Sequence, residues 1–349
     1  MSLARRVLEH ATYMITRRCS ERRYFLRPDR KVTRLIEYLV GVLAKRFEIQ
    51  VIAACFLGNH YHVILVDPVG QVPKFMQELN SLLARALNAH WGRGENLWAP
   101  GSYNSVEIDP IHDEQTLLEK LAYLWCNPVA AGLVERPESW PGLLTLPEDM
   151  GRLQRYRERP DDAFFGGKLP PGWEATYEPR RERLDRLTRR SRPRRAAQPK
   201  RAEYQAKPST LPEGSTLEVV VPPHVTDPDD FRRRCRELLD ARLEEVYAAR
   251  RTEGLIAYLG RDRILAQDPF GAPGDTIPDF GLDPALAPGS DTEERIEKIQ
   301  ELQVWREEYA SALRRWCDGD RAVRFPRGTY RLRVLHAAQV VVGALLDAA

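Results

Sequence analysis

A chain of 349 residues with 43% apolar and 30% charged residues is longer than one usual domain and rich enough in apolar side chains for real cores, so two domains joined by a linker are expected. No apolar run is long enough to cross a bilayer and the N-terminus carries no apolar segment with a cleavage site, which excludes a membrane-spanning or signal-bearing reading and makes the cytoplasm the expected location. The net charge of +3 is too small to argue for nucleic acid by itself, and five scattered cysteines without a C-x-x-C pair exclude a disulfide framework and a zinc knuckle.

The first 140 residues alternate strand-like and helix-like patterns. Residues 11–19 (ATYMITRRC) alternate as a strand does, and residues 30–48 carry Val32, Leu35, Ile36, Leu39, Leu43 and Phe47 at helical spacing. Residues 50–57 and 61–66 are apolar strand-like runs hinged at Gly58-Asn59, a dipeptide suited to a tight hairpin because both residues tolerate positive φ. A helix over 72–92 ends at Gly92, a strand follows over 102–109, and a last helix opens near Asp113 with Leu117, Leu118, Leu121, Leu124 and Trp125 before Pro128 ends it. The order β-α-β-β-α-β plus one helix is that of the ferredoxin-like split βαβ unit, an α+β fold with an antiparallel sheet. A doubly wound sheet competes, but a two-residue turn can join only antiparallel neighbours. Neither helix opens on a glycine-rich nucleotide cradle.

From about Pro160 to Thr216 periodicity fades, and between Arg180 and Arg201 eleven Arg or Lys face two acids. Such a run reads as a solvated linker or as a phosphate contact, whereas Asp268 to Glu294 is acidic and rich in proline and glycine. The expected organisation is a first domain over 1–150, a Pro/Arg-rich linker over 151–215 and a mostly helical C-terminal domain over 216–349. In the last, residues 227–251 and 293–317 form apolar-striped helices, and a turn-plus-strand over RAVRFPRGTYRLRV precedes a final Ala/Val-rich helix. This part carries no motif with assignable chemistry.

The chemistry concentrates in CFLGNHYHVILVDP (55–68). On a strand, His60 and His62 project on one side and Tyr61 on the other, so the imidazoles either share a cation or are ordinary hydrogen-bonded histidines. In LAYLWCNPVAAGLV, Tyr123 and Asn127 lie four apart on one helix face. Asn127 has a carbonyl oxygen able to complete a coordination shell and Tyr123 a phenol beside it, or else Tyr123 is a half-buried core residue and Asn127 a helix cap.

These residues resemble a known group. NH-Y-H on a ferredoxin-like strand, followed by Y-x-x-x-N-P-V-x-A-G-L-V, is similar to the HUH single-strand DNA endonuclease superfamily, and within it to single-tyrosine transposases associated with repetitive extragenic palindromes. The resemblance covers roughly residues 10–145 and takes in TYMITRRCSERRYF and NLWAPGSYNS. It implies His60, His62 and Asn127 as metal ligands, Tyr123 as the nucleophile, and Mg²⁺ or Mn²⁺ as the cofactor. Met14 stands where many relatives have a histidine and Gly101 where many have an arginine. The implied activity is cleavage and transfer of single-stranded or hairpin DNA through a 5′-phosphotyrosine, with a homodimer left open. Arg17, Arg18, Arg22, Arg23 and Tyr103 are the expected nucleic-acid contacts. Two alternatives stand beside this: a non-catalytic, domesticated nucleic-acid-binding protein, and a zinc hydrolase that the missing third His or carboxylate disfavours.

Overall fold

The computed structural model describes residues 4–160, 211–273 and 292–341. Four strands, β1 (Ala11–Arg18), β2 (Gln50–Phe56), β3 (His60–Asp67) and β4 (Asn104–Ile108), form an antiparallel sheet in the order β2-β3-β1-β4. Two helices, α1 (Arg30–Phe47) and α2 (Val72–His90), follow β1 and β3, and α3 (Glu114–Ala130) follows β4. This is the strand order of the expected split βαβ unit.

Strand alternation divides the apolar residues between the two sheet faces. Tyr13, Ile15, Tyr61, Val63 and Leu65 pack with α1 and α2, while Met14, Ile64, Val66, Val106 and Ile108 pack with Leu117, Leu121, Leu124 and Trp125 of α3. His60 and His62 belong to the second face, so helix α3 decides what they meet. Asp29 caps α1 by accepting from the Lys31 and Val32 amides, and Asp113 caps α3 by accepting from Thr116. The buried Asp67 carboxylate accepts from Gln71 and Val72 at 2.7 Å each, tying the end of β3 to the start of α2.

Two local expectations change. Pro128 does not end α3, which runs to Ala130 and turns at Gly132 with φ +68. A proline in the last turn forfeits one backbone bond, and α3 tolerates this because it is buried on both sides. The Gly58-Asn59 turn closes through Leu57 N to His60 O at 2.9 Å, yet neither residue has positive φ. Its carbonyls are instead taken by the amides of Leu26 and Cys19, at 2.9 and 2.7 Å, which hold the turn from outside.

Residues 161–210, including the basic run, lie outside the described residues, but both flanks of that segment form strands. These are β5 (Gln154–Glu158) and β6 (Gly214–Glu218), paired antiparallel and laid against α1. A Cβ on Gly41 of α1 would lie 2.7 Å from the Thr216 carbonyl oxygen, so only glycine admits this approach. Farther on, Val220 N donates to Val51 O at 2.8 Å, and Leu143 and Thr145 bond Phe56 and Ala54, so the outer edge of β2 is covered.

The expected helix near 227–251 is α4 (Pro228–Thr252), and it packs on α3 through Phe231, Cys235, Leu239 and Leu243. Ion pairs Arg234–Glu114 and Arg236–Glu148, both at 2.5 Å, fasten its N-terminal half. A short helix α5 (Arg261–Leu265) leads to a strap at 266–273, which bonds the loop after β1 through Arg27 Nη1 to Gln267 O at 3.0 Å and Tyr24 N to Gly271 O at 3.1 Å. The last described part holds α6 (Thr292–Cys317), a parallel pair β7 (Arg324–Phe325) and β8 (Gln339–Val340), and α7 (Arg331–His336). Here RLRV is helical rather than a strand, and residues 339–340 pair as a strand where the final helix was expected. This part meets the sheet through Arg6, which bridges Glu107 at 3.0 Å and Glu301 at 2.5 Å. No described helix is long and apolar enough to cross a membrane.

Candidate active site

His60 opens β3 and His62 follows two residues on, so their rings share a face with centroids 5.0 Å apart, edge to face. Tyr61 points the opposite way, stacked on Phe56 at 4.6 Å with its hydroxyl on Asn80 Oδ1 at 2.8 Å. From above, α3 lowers Tyr123 onto His62 with ring centroids 5.5 Å apart. One turn farther, the Asn127 side chain is buried and hydrogen-bonds His60. The four residues read from the sequence thus converge, and Tyr123 keeps 46% of its surface exposed at the mouth.

The histidines are arranged by neighbours that sequence reading did not single out. The antiparallel register sets Thr16 of β1 opposite His62, and its hydroxyl lies 2.8 Å from His62 Nδ1. His62 Nε2 is left buried without a hydrogen-bond partner, an arrangement that is costly unless something absent from the protein meets it. At His60, Nδ1 lies 2.7 Å from Asn59 Oδ1, so the ring is held from the turn on one side and by Asn127 on the other.

Burial holds both imidazoles neutral. It lowers the His60 pKa to about 4, with the Asn127 hydrogen bond opposing and the charges of Arg18 and Arg22 adding to the shift. His62 falls well below the ordinary value, first from burial and then from His60. Neutral imidazoles with one orphaned nitrogen and a neighbouring amide are a donor set that suits a divalent cation. Among the described residues no three His, Cys, Asp or Glu side chains gather as a metal cluster, and the donor beside the pair is the neutral amide of Asn127.

The site lies in a cleft of about 970 Å³ whose walls include Arg5, Arg18, Arg22 and Lys120, with no carboxylate among its described lining residues. Of the expected nucleic-acid contacts, Arg18, Arg22 and Tyr103 line this cleft. Arg17 does not, because strand alternation turns it to the other face, over the Trp98 ring at 5.9 Å. Arg23 also stays out, held by Glu21 at 2.7 Å and by the Phe270 carbonyl of the strap. Met14 is part of the floor, and Gly101, with φ +71 and open space where a Cβ would go, is part of the rim. Arg5 and Lys120 were not foreseen. Lys120 was visible in principle, lying three residues before Tyr123 on one helix face, whereas Arg5 reaches the rim only because its guanidinium bonds the Tyr103 carbonyl at 3.0 Å.

No protein-family model matches the chain, and no curated protein does. Among solved structures, the chain is similar to a REP-associated tyrosine transposase described as bound to a REP hairpin. That match has 20% identity and a TM-score of 0.36, and covers 44% of this chain and 87% of the other. It is similar also to a protein of Deinococcus radiodurans R1 described as a transposase, with 20% identity and a TM-score of 0.26, covering 34% of this chain and 94% of the other.

Proposed function

We propose that this protein is a metal-dependent single-stranded DNA endonuclease and strand transferase of the transposase kind, with Tyr123 as its nucleophile. The observation that carries this reading is the coincidence, in one cleft, of an exposed tyrosine, two neutral imidazoles, His62 buried and His60 half-buried, and a cationic wall free of carboxylates among the described residues. A phosphodiester strand is the polyanion such a wall recognises.

In the proposed reaction the Tyr123 oxygen loses its proton and attacks phosphorus, the bond to the 3′ oxygen breaks, and that oxygen leaves as a 3′-hydroxyl. The 5′ side of the strand stays on the enzyme as a phosphotyrosine. Because the phosphodiester energy is kept in that bond, attack by another 3′-hydroxyl reseals the strand without a nucleotide cofactor. Attack in line with the leaving oxygen requires an extended, accessible phosphate, which favours unpaired DNA over a duplex. His60, His62 and Asn127 would hold Mg²⁺ or Mn²⁺, whose contribution when bound is to neutralise charge on the phosphoryl oxygens. The motif resemblance makes a strand flanking a hairpin the first substrate to test.

Purified protein mixed with a labelled single-stranded hairpin oligonucleotide and Mn²⁺ or Mg²⁺ should yield a covalent adduct stable to denaturing electrophoresis, and excess EDTA should abolish it. Cleavage without an adduct, or an adduct indifferent to EDTA, would contradict the mechanism. The outer shell gives an independent check. Thr16→Val removes the hydroxyl that orients His62 and should lower Mn²⁺ affinity by about 10–100-fold in calorimetric titration. Equal affinity in parent and variant would exclude Thr16 as the residue that orients His62 for the metal.

A further inference from the structure

Within the cationic wall of the cleft, Lys120 has a position that its surroundings do not explain as that of an ordinary surface residue. A lysine on an exposed helix face is commonly paired with an acid three or four positions away. The residues at those offsets from Lys120 are Thr116, Leu117, Tyr123 and Leu124. The groove beside it is lined by two acids, Glu119, which accepts from Gln115 at 3.2 Å, and Glu245 of α4, which is held by Arg242 at 2.5 Å. No carboxylate pairs with Lys120 among the described residues.

Its position is particular. Lys120 and Tyr123 both line the cleft that contains His60 and His62, and both also line a second groove of about 340 Å³ between α3 and α4. The two side chains therefore form the sill over which the cleft opens into the groove. One of them is the proposed nucleophile and the other an ammonium beside it, at the spacing that places side chains one above the other on a helix. A strand laid across this sill to reach Tyr123 must pass the ammonium.

Resting on the reading that Tyr123 attacks a DNA strand, we infer that Lys120 is a substrate-positioning residue that holds a phosphate of that strand at the sill between the two concavities. An ammonium is a compact point charge that neutralises a phosphate without demanding one orientation, which suits a contact made regardless of sequence. Such a contact is made equally before and during reaction, so it governs affinity and leaves the saturated rate unchanged.

The test uses the full chain with Tyr123→Phe, so that binding is read without turnover, and a fluorescent single-stranded hairpin oligonucleotide titrated over a series of salt concentrations. Adding Lys120→Gln should weaken binding about tenfold and reduce the slope of log affinity against log salt by about 0.7, the share of one phosphate on a single strand. Lys120→Arg should restore both, and Lys74→Gln, an exposed lysine on α2 across the sheet, should change neither. In the chain with Tyr123 intact, Lys120→Gln should raise the oligonucleotide concentration needed for half-maximal cleavage while the saturated single-turnover rate stays within about twofold. An unchanged salt slope, or a lowered saturated rate at unchanged affinity, overturns this assignment while leaving the role of Tyr123 intact. A parent protein that neither binds nor cleaves the oligonucleotide overturns the proposed function, and this inference with it.

Discussion

Replacing Tyr123 by Phe should abolish the covalent adduct and lower strand cleavage by on the order of 10⁴-fold or more, while affinity for the same oligonucleotide should stay unchanged. The substitution removes one oxygen from a side chain that is 46% exposed, so it opens no cavity. The phenyl ring still meets His62 edge-on at 5.5 Å, and the histidine pair keeps its geometry. Lost activity with retained binding therefore identifies the oxygen itself as the reacting group. A competing phenol exists in the same cleft, since Tyr103 also lines it. Burial raises the Tyr103 pKa, and the Ser105 hydrogen bond and the charges of Arg5 and Arg17 only partly oppose this, so that phenol is harder to ionise than a free one. Gel analysis of adducts in the two single variants separates them: Tyr103→Phe should still form the adduct, and a Tyr123→Phe protein that cleaves as well as the parent would refute the assignment.

The parts of the site that were legible in the sequence are those governed by local periodicity. Strand alternation places His60 and His62 together with Tyr61 opposed, and helical spacing stacks Tyr123 on Asn127. The parts that were not legible depend on register and on long-range packing. Nothing local says that Thr16 stands across from His62, because that pairing is a property of β1 against β3. The continuation of α3 through Pro128 is of the same kind, since the local breaker signal is overridden by burial between the sheet and α4. Nor could periodicity foresee that α4 would lie on α3, because an apolar stripe says that a face is buried and not against what.

Strands β5 and β6 escaped notice for a sharper reason, and it carries the second large expected effect. The inward positions of β5 include Arg155 and Arg157, so QRYRE has no apolar alternation to betray a strand. Their partner is Glu37 of α1, 1% exposed, whose two carboxylate oxygens accept from Arg155 Nη1 and Arg157 Nε at 2.5 Å each. The arrangement fixes the strand that leads into residues 161–210 on the same helix as the strand that leads out of them. Glu37→Ala removes the shared anion and leaves two guanidiniums facing each other, which should cost about 3 kcal/mol. The figure sits at the low end for a broken buried pair because both arginines keep partial access to water. Urea denaturation followed by tryptophan fluorescence should show it as a lowered midpoint, and protease should then cut near 154–158 sooner than in the parent. Replacing all three residues by methionine should recover most of the loss, since removing the whole ion cluster leaves no charge stranded. If Glu37→Ala instead unfolds at the parent's midpoint, the ion pairs are not what holds β5 to α1, and apolar contacts such as that of Leu217 on β6 must carry the attachment alone.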